Sequence, residues 1–294
     1  HALTIDVEDA YNPALRQRMG VEGPPTEAVI RNTDRLLALL EDRGARATFF
    51  VLGEVAEAFP RLLARIATAG HELGVHGQGH QKVFALSPRD FRQQVRRARR
   101  RVADAAGAPA DGHRAPAFSI GPDQAWALEV LAEEGFRYDS SVFPFRGRRY
   151  GWAGFPRDIH RLRFDGGRTL VEAPLSVVPV GGRVLPACGG GYLRHLPYAY
   201  TRWAMRRVGR VRPAIVYIHP YDLDAEPARA PAVYRRAMAR AGLQIRRQQW
   251  MQRRNRQTVP GKLTALLDEF RFAPLGEVID RVLAGRPATA PAAR

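Results

Sequence analysis

Two histidines separated by a glycine-containing segment are the first candidates for chemistry in this chain. Gly77-Gln78-Gly79 lies between His76 and His80, and the two glycines favour a loop that bends both imidazoles onto one ion. Two imidazoles with one carboxylate form a ligand set that is typical of catalytic zinc sites. Taken alone, a pair with this spacing more often forms hydrogen bonds within a turn. The metal interpretation therefore depends on a carboxylate from elsewhere in the chain.

Clustered acids after the first apolar run can supply that carboxylate. Asp6, Glu8 and Asp9 follow one another closely, and burying them together is unfavourable unless a cation or an arginine offsets their charge. Arg114 is the candidate arginine, although on its own it would be interpreted as a surface residue beside a proline turn. We predict a divalent metal, with zinc favoured, held by the histidine pair and by either Glu8 or Asp9.

Further polar and aromatic residues follow other apolar segments. His219 comes directly after the apolar run 214–218, where a single histidine is more often a core residue with a hydrogen-bond partner. Tyr138 and Asp139 follow the short segment 136–137. The glycine-rich stretch 181–192 ends at Tyr192, and its aromatic surroundings suit either a groove for sugar rings or ordinary packing.

The predicted elements explain how these distant residues meet. Short apolar runs at 3–7, 47–52, 71–75 and 214–218 alternate with helical patterns that begin near residues 26, 61, 87 and 123. This alternation is typical of βαβ units around a parallel sheet. We predict an α/β protein, an irregular (β/α) barrel of about seven parallel strands, with its active site at the carboxyl ends of the strands.

The domain organisation is predicted to be one barrel with an elaboration at its end. Residues 1–225 are assigned to the barrel and residues 226–285 to an extension packed on it. Residues from about 145 to 200 are rich in glycine, proline and aromatics and predict strands and long loops. The low-complexity tail 286–294 is expected to be disordered.

The charge balance is strongly basic without favouring a nucleic-acid partner. Lys and Arg number 46 against 29 Asp and Glu, a formal net charge of +17, and Lys82 and Lys262 are the only lysines. Such a bias towards arginine is more typical of a codon habit than of phosphate binding. The basic clusters at 96–101 and 246–256 are interpreted as solvated helix faces, with attraction to an anionic polymer or membrane as the alternative.

Compartment and membrane association are only weakly constrained. The lone Cys188 excludes an internal disulfide framework and a thiolate-rich metal site. No apolar run approaches the ~18–20 residues that a membrane span needs, so no transmembrane segment is expected. No signal-peptide pattern is present, and the localisation stays open between the cytoplasm and the cell envelope of a bacterium.

Five motifs in order over residues 1–225 resemble those of the polysaccharide deacetylases, the carbohydrate-esterase group that includes chitin, chitooligosaccharide and peptidoglycan deacetylases. Each motif follows a predicted strand or turn, and five together are far more specific than any one. They are Thr4-Ile5-Asp6-Val7-Glu8-Asp9, His76-Gly77-Gln78-Gly79-His80, Arg114-Ala115-Pro116, Tyr138-Asp139-Ser140-Ser141 and Tyr217-Ile218-His219-Pro220.

The resemblance implies a role for each polar residue. Asp6 would be the general base, Arg114 would hold Asp6 ionised and oriented, and His219 would protonate the leaving amine or alcohol. A divalent metal, favoured to be Zn²⁺, would polarise the acyl carbonyl. Substrate contacts are expected from Pro116, Tyr138, Asp139 and Tyr192, with backbone N–H groups near Tyr138 or Asp139 completing an oxyanion site.

The details resemble most the subfamily encoded with exosortase and exopolysaccharide loci, through the Asp-Val-Glu-Asp opening, Gly189-Gly190-Gly191-Tyr192 and the C-terminal extension. Where the commonest family opening has two adjacent aspartates, Val7 follows Asp6 here, and Tyr221 and Asp222 stand where relatives often have tryptophan and glutamate. The resemblance implies hydrolysis of N-acetyl groups, rather than O-acetyl groups, from an N-acetylhexosamine-containing exopolysaccharide. The alternatives are a same-fold amidohydrolase acting on a small cyclic amide, and a catalytically dead basic glycan-binding module.

Overall fold

A curled sheet of eight strands forms the centre of the protein. The computed structural model describes residues 1–147, 150–187, 189–224 and 231–285, so Cys188 and the predicted tail 286–294 lie outside the described residues. The described residues form ten strands, of which β8 and β9 lie outside this sheet. In chain order they are β1 (Ala2–Val7), β2 (Thr48–Val51), β3 (Glu72–Val75), β4 (Gly112–His113), β5 (Tyr138–Asp139), β6 (His160–Arg163), β7 (Thr169–Glu172), β8 (Val177–Val180), β9 (Arg183–Pro186) and β10 (Ile215–Ile218).

Seven of the eight strands in the main sheet run parallel. Their order is β10-β1-β2-β3-β4-β5-β7-β6, and only the edge strand β6 is antiparallel to its neighbour. The sheet is curled, but in the described part of the chain its edge strands β10 and β6 do not pair with each other. The sheet is therefore an open half-barrel rather than a closed barrel. The predicted parallel α/β fold is confirmed, with strands β8 and β9 forming a separate hairpin.

Helices cover the sheet and connect most of the parallel strands. They are α1 (Pro13–Arg18), α2 (Ala28–Glu41), α3 (Gly53–Ala58), α4 (Pro60–Thr68), α5 (Pro88–Ala106), α6 (Trp126–Glu133), α7 (Gly190–His195), α8 (Tyr198–Gly209), α9 (Ala232–Arg240), α10 (Leu243–Arg253), α11 (Val259–Glu269) and α12 (Leu275–Ala284). None of the described helices combines the length and the apolar character that a membrane crossing requires.

Local sequence signals account for most of these elements. All six residues of β1 are buried, as expected for a parallel strand covered on both faces. Helix α5 begins where the Ser87 hydroxyl accepts a hydrogen bond from the Asp90 N–H, and it ends at Gly107, whose φ of +64° suits a glycine. Helices α7 and α8 were not predicted, because glycine and proline precede them in a stretch interpreted as strands and loops.

The C-terminal residues pack against the amino ends of the first strands. Ala273 forms a bridge with Ala2, and the Leu275 N–H donates to the Thr48 hydroxyl at 2.7 Å. On the other side, the Lys262 ammonium donates to the carbonyls of Leu193 (2.9 Å) and Leu196 (2.8 Å) at the end of α7. This region is therefore tied to the sheet, while its division at residue 225 stays a prediction.

We expect Gly112→Ala to destabilise the fold. Gly112 is the register partner of Tyr138, and a Cβ atom on Gly112 would overlap the buried Tyr138 ring. Overpacking of this kind lowers the free energy of unfolding by about 1–3 kcal/mol. Urea denaturation checks this, with Gly261→Ala as the control because a Cβ atom there meets nothing within 4 Å. An unchanged midpoint for Gly112→Ala would contradict the close packing of these strands.

Candidate functional site

The predicted site residues meet at the carboxyl edge of neighbouring strands. Asp6 and Glu8 lie at the end of β1, His76 follows β3, Arg114 follows β4 and His219 follows β10. Because β10, β1, β2, β3 and β4 are adjacent and parallel, their carboxyl ends share one edge of the sheet. Residues more than 200 positions apart in the sequence thereby line one site.

Glu8, His76 and His80 form the one cluster in the described residues that is suited to a metal ion. One potential ligand atom from each lies within 4.8 Å of the others. The Glu8 carboxylate is 2.7 Å from Nε2 of His80. Neither Asp6 nor Asp9 belongs to the cluster.

The histidine loop is shaped by two left-handed residues and by its neighbours. Gly77 has a φ of +78° and His80 a φ of +58°, a strained value for a residue with a Cβ atom. The Gly53 N–H donates to the Gly77 carbonyl at 2.9 Å. The Pro116 ring packs against Gly77 and is buried beneath the loop, and its substrate contact stays a prediction.

The donor set fits a divalent metal. Nδ1 of His76 lies 2.9 Å from the Arg114 carbonyl, which fixes the proton on Nδ1 and leaves Nε2 free to bind an ion. Burial lowers the pKa of His76 to about 4, so this imidazole is neutral. Burial opposes ionisation of Glu8, but His80 and the other nearby histidines outweigh it and lower the pKa of Glu8 to about 2. Buried Nδ1 of His80 has no hydrogen-bond partner among the described residues.

Asp9 points away from this cluster. Its carboxylate accepts hydrogen bonds from the backbone N–H groups of Thr26 (2.5 Å) and Tyr11 (3.2 Å). Burial raises the pKa of Asp9, although these two hydrogen bonds oppose the shift. Glu8, rather than Asp9, faces the histidines in this geometry, because the oxygens of Asp9 fix the loop before α2.

Arg114 holds Asp6 from within the core. Its side chain is fully buried, and Nη1 donates to Asp6 at 2.9 Å and to the Thr4 hydroxyl at 2.6 Å. The other nitrogens donate to the carbonyl and the hydroxyl of Ser140, at 3.0 and 2.9 Å. The guanidinium also lies 4.4 Å from the centre of the Phe50 ring. A cation fixed in so many directions gives Asp6 one orientation.

His219 is oriented by a chain of charged residues that the sequence did not reveal. Its Nδ1 lies 3.1 Å from Asp222, whose carboxylate also accepts from the His219 backbone N–H at 3.0 Å. Arg194, from α7, forms a buried ion pair with Asp222. Burial opposes protonation of His219, but Asp222 outweighs it and raises the pKa of His219. The spacing of three residues between His219 and Asp222 was the available signal.

The Nε2 edge of the His219 ring faces Glu8, a member of the potential metal-binding cluster. Nε2 of His219 lies 3.5 Å from Glu8, and His219 stacks on Tyr221 with ring centres 4.6 Å apart. The Tyr221 hydroxyl donates to Glu8 at 3.2 Å. His219 is outside the metal-binding cluster, and its Nε2 edge faces the site, where a proton would be transferred.

Tyr138 and Asp139 lie inside the protein, and their substrate contacts stay predictions. Both are fully buried, and the Tyr138 ring packs on Phe50 with ring centres 6.3 Å apart. Asp139 accepts from His113 at 2.6 Å and from the Ser141 hydroxyl at 2.7 Å. The Ser140 and Ser141 N–H groups donate within the protein at 2.9 Å each, so neither is free for an oxyanion. Strand alternation places the two side chains on opposite faces.

Tyr192 lies among aromatic residues near His219. It is partly buried, and its hydroxyl is 3.3 Å from the hydroxyl of Tyr150. The Tyr217 ring lies 5.9 Å from His219 and packs against Gly189 and Gly190, where a Cβ atom would clash. The glycine-rich stretch thus lets α7 approach β10 closely, and the substrate contact of Tyr192 stays a prediction.

We expect Glu172→Gln to flatten the pH dependence of stability. Burial and the neighbouring Asp139 charge raise the pKa of Glu172 well above its ordinary value, so the folded protein keeps this proton while the unfolded chain releases it. Stability from Glu172 is therefore fully present below the unfolded pKa and is lost as the pH rises. Thermal unfolding from pH 4 to 8 measures this. An equally steep curve for the variant would show that Glu172 is ionised in the folded protein.

Two family models match consecutive parts of the chain. Residues 23–138 match the family model for polysaccharide deacetylases, and residues 140–280 match a domain of unknown function, DUF3473. The first model begins after Asp6 and Glu8, and His219 lies within the second matched region.

Three curated relatives share parts of the chain. A peptidoglycan-N-acetylglucosamine deacetylase from Bacillus cereus is 35% identical over 29% of this chain and 30% of its own length. A chitooligosaccharide deacetylase from Sinorhizobium fredii is 26% identical over 62% of this chain and 79% of its own length. A peptidoglycan deacetylase from Helicobacter pylori is 30% identical over 37% and 36%. The chain thus spans about a third of two of these relatives.

Two solved structures share the fold across nearly the whole chain. A Mycobacterium smegmatis protein assigned to the polysaccharide deacetylases has a TM-score of 0.59 at 24% identity, covering 99% of this chain and 93% of its own. An allantoinase has a TM-score of 0.63 at 14% identity, covering 98% and 91%. At these identities the likeness concerns the fold alone.

Proposed function

Since the chain belongs to the polysaccharide deacetylase family, we propose that it is a hydrolase that removes N-acetyl groups from an N-acetylhexosamine-containing polysaccharide with the help of a divalent metal. The observation that carries this proposal is that a potential metal-binding cluster and a pair of acid–base residues lie together at the carboxyl edge of the sheet. Glu8, His76 and His80 form a cluster suited to an ion, and beside it lie an arginine-held aspartate and an aspartate-held histidine.

The residues of the chain divide the proton transfers between them. Asp6 accepts a proton from the attacking water, and Arg114 keeps the Asp6 carboxylate oriented for that transfer. His219 delivers a proton to the leaving nitrogen, because Asp222 favours its charged form. Positioned acids and bases of this kind typically contribute about 10²–10⁴-fold each.

Glu8, His76 and His80 would hold the metal. When bound, a divalent ion supplies Lewis acidity towards an acyl oxygen and lowers the pKa of water from 15.7 towards ~7. The ligand set of two imidazoles and one carboxylate favours zinc. Because an ion competes with the proton shared by Glu8 and His80, metal affinity is expected to fall in acid.

The proposed substrate is an exopolysaccharide. The support is the resemblance of the opening motif, the glycine-rich stretch and the C-terminal region to the exopolysaccharide-locus subfamily. The relatives described above are deacetylases of peptidoglycan and of chitooligosaccharides, which both fit an N-acetylhexosamine unit at the site.

Acetate release from a panel of acetylated substrates tests the proposal. The panel contains N-acetylated and O-acetylated oligosaccharides and an N-acetylhexosamine-containing exopolysaccharide, each with and without a chelator, and ring opening of a small cyclic ureide is followed in a separate assay. We expect acetate from the N-acetylated glycans, its loss with the chelator and its recovery with Zn²⁺. Hydrolysis of the cyclic ureide alone would identify a small-molecule amidohydrolase. Absence of turnover with every substrate in a metal-loaded protein would identify a binding module.

A further inference from the structure

The C-terminal region contains a basic segment without any acidic residue. Residues 227–267 include ten lysines and arginines and no aspartate or glutamate. These ten charges exceed half of the net charge of +17 of the whole chain. Within a folded protein such an imbalance is unfavourable through self-repulsion unless an anionic partner offsets it.

Ion pairing distinguishes this segment from the other basic cluster. The arginines of α5 are largely neutralised, as Arg92 pairs with Glu134 at 2.7 Å and Arg99 with Asp111 at 2.6 Å. By contrast, no carboxylate of the described residues forms an ion pair with Arg246, Arg247 or Arg254. The α5 cluster is thus a solvated, paired helix face, whereas α10 presents free cations.

These cations alternate with exposed apolar side chains along one face of α10. Leu243, Arg247 and Trp250 follow a spacing of four and three residues, which places them on one side of the helix, and Arg254 follows directly after its last residue. Leu243 is 82% exposed and Trp250 56% exposed. Together with Arg235 and Met238 of α9 they line an open groove of about 1130 Å³, which we call the α9–α10 groove.

One end of the groove contacts residues that follow the metal ligand Glu8 in the sequence. Arg253, at the end of α10, donates to the Tyr11 hydroxyl at 2.8 Å, and Tyr11 in turn binds Asp9 through its backbone. Arg256 lies 5.1 Å from the centre of the Tyr221 ring, and Tyr221 donates to Glu8. Arg253, a groove residue, is thus linked to the loop that follows Glu8, and Arg256, just beyond α10, is linked through Tyr221 to Glu8 itself.

We propose that the α9–α10 groove binds a carboxylate-bearing stretch of an acidic polysaccharide while an acetylated unit of the same chain occupies the active site. Guanidinium groups bind carboxylates with paired hydrogen bonds, which suits the uronic acids of such a polymer. The Trp250 ring, with Arg254 5.0 Å from its centre on one side, offers an apolar surface to the C–H face of a sugar. This inference rests on the proposed function and adds a substrate class to it.

A polymer fits the groove better than a membrane or a nucleic acid does. A single glycan chain can lie along the groove, where its carboxylates and sugar rings meet the alternating arginines and apolar side chains. The 11 residues of α10 span about 16 Å, which accommodates several sugar units. The single exposed tryptophan offers one stacking surface rather than the successive aromatic platforms typical of single-strand binding.

Binding to alginate, a polymer of uronic acids without acetamido groups, tests the inference independently of catalysis. Calorimetry compares the full-length protein with an Arg247→Ser/Arg254→Ser variant and with an Arg97→Ser/Arg100→Ser variant that removes the same charge from α5. We expect the groove variant to raise the Kd for alginate about tenfold, the consequence of losing exposed charge-assisted hydrogen bonds. The α5 variant should change it less than about twofold, and neutral dextran should not bind.

The remaining outcomes decide against the groove or against the proposed function separately. Equal losses in both variants, or tighter binding to duplex DNA or phosphatidylglycerol vesicles than to alginate, would overturn the acidic-glycan assignment. Normal acetate release from chitooligosaccharide with no alginate binding would overturn the groove alone. Groove-dependent alginate binding without acetate release from any substrate would overturn the deacetylase proposal and leave the binding surface.

Discussion

Glu8→Gln is expected to abolish stoichiometric metal binding and to lower turnover by about 10³-fold or more. The carboxylate of Glu8 is the anionic member of the cluster with His76 and His80, and a neutral amide neither balances the ion nor matches its ligand strength. Lewis-acid stabilisation is worth several kcal/mol, and each ~1.4 kcal/mol corresponds to a factor of ten in rate. Metal analysis of the purified variant and acetate release together measure both effects.

Asp9→Asn is the matched control for this experiment. Asp9 lies one residue further along the chain and is also buried, but its oxygens accept backbone hydrogen bonds from Tyr11 and Thr26. The amide retains only one acceptor atom, so we expect a loss of stability of about 1 kcal/mol with unchanged metal content. If Asp9→Asn lost the metal and Glu8→Gln kept it, the assignment made from the geometry would be wrong.

The sequence predicts most of the fold because parallel strands carry a strong signal. The apolar runs at 3–7 and 214–218 correspond to β1 and β10, which are buried along their lengths. The match of residues 23–138 to the polysaccharide deacetylases also agrees with the motifs at the ends of these strands, while the exopolysaccharide-locus subfamily stays a prediction. Helices α7 and α8 were missed because the fold places them through contacts distant in sequence, such as those of Lys262 with the end of α7.

The sequence finds the neighbourhood of the site more readily than the direction of each side chain. Strand-end reasoning brings Asp6, Glu8 and Asp9 to one edge, but it does not separate Glu8 from Asp9. Their separation depends on the Thr26 N–H, which lies 17 residues beyond Asp9. Without that partner, either carboxylate could have faced the histidines.

Long-range partners also explain the residues that the sequence reasoning missed. Asp222 is recognisable by its spacing from His219, but Arg194 reaches it across 28 residues from a helix that was not predicted. The substrate contacts expected of Tyr138 and Asp139 stay predictions, although both side chains are buried. Both residues lie within the two-residue strand β5, so the carboxyl edge of the sheet, where the other site residues lie, comes after Asp139.

His219→Ala is expected to lower kcat by about 10²–10⁴-fold while the metal content stays unchanged. The imidazole is outside the cluster of Glu8, His76 and His80, so its loss removes a proton donor and leaves the ligands in place. Metal analysis and acetate release measure the two quantities on one preparation. Loss of the metal would make His219 a ligand, and near-normal turnover would make it a packing residue.

Asp222→Asn tests whether His219 acts as an acid rather than as a structural group. Asp222 raises the pKa of His219, so the protonated imidazole persists until the pH rises through that value. Without the carboxylate the pKa of His219 falls, and the alkaline limb of the kcat profile should move to lower pH while the metal is retained. Arg194→Gln should move the limb in the opposite direction, because loss of the guanidinium strengthens the effect of Asp222 on His219. An unshifted alkaline limb in both variants, with kcat of His219→Ala still reduced, would mean that another group supplies the proton and that His219 only positions the substrate.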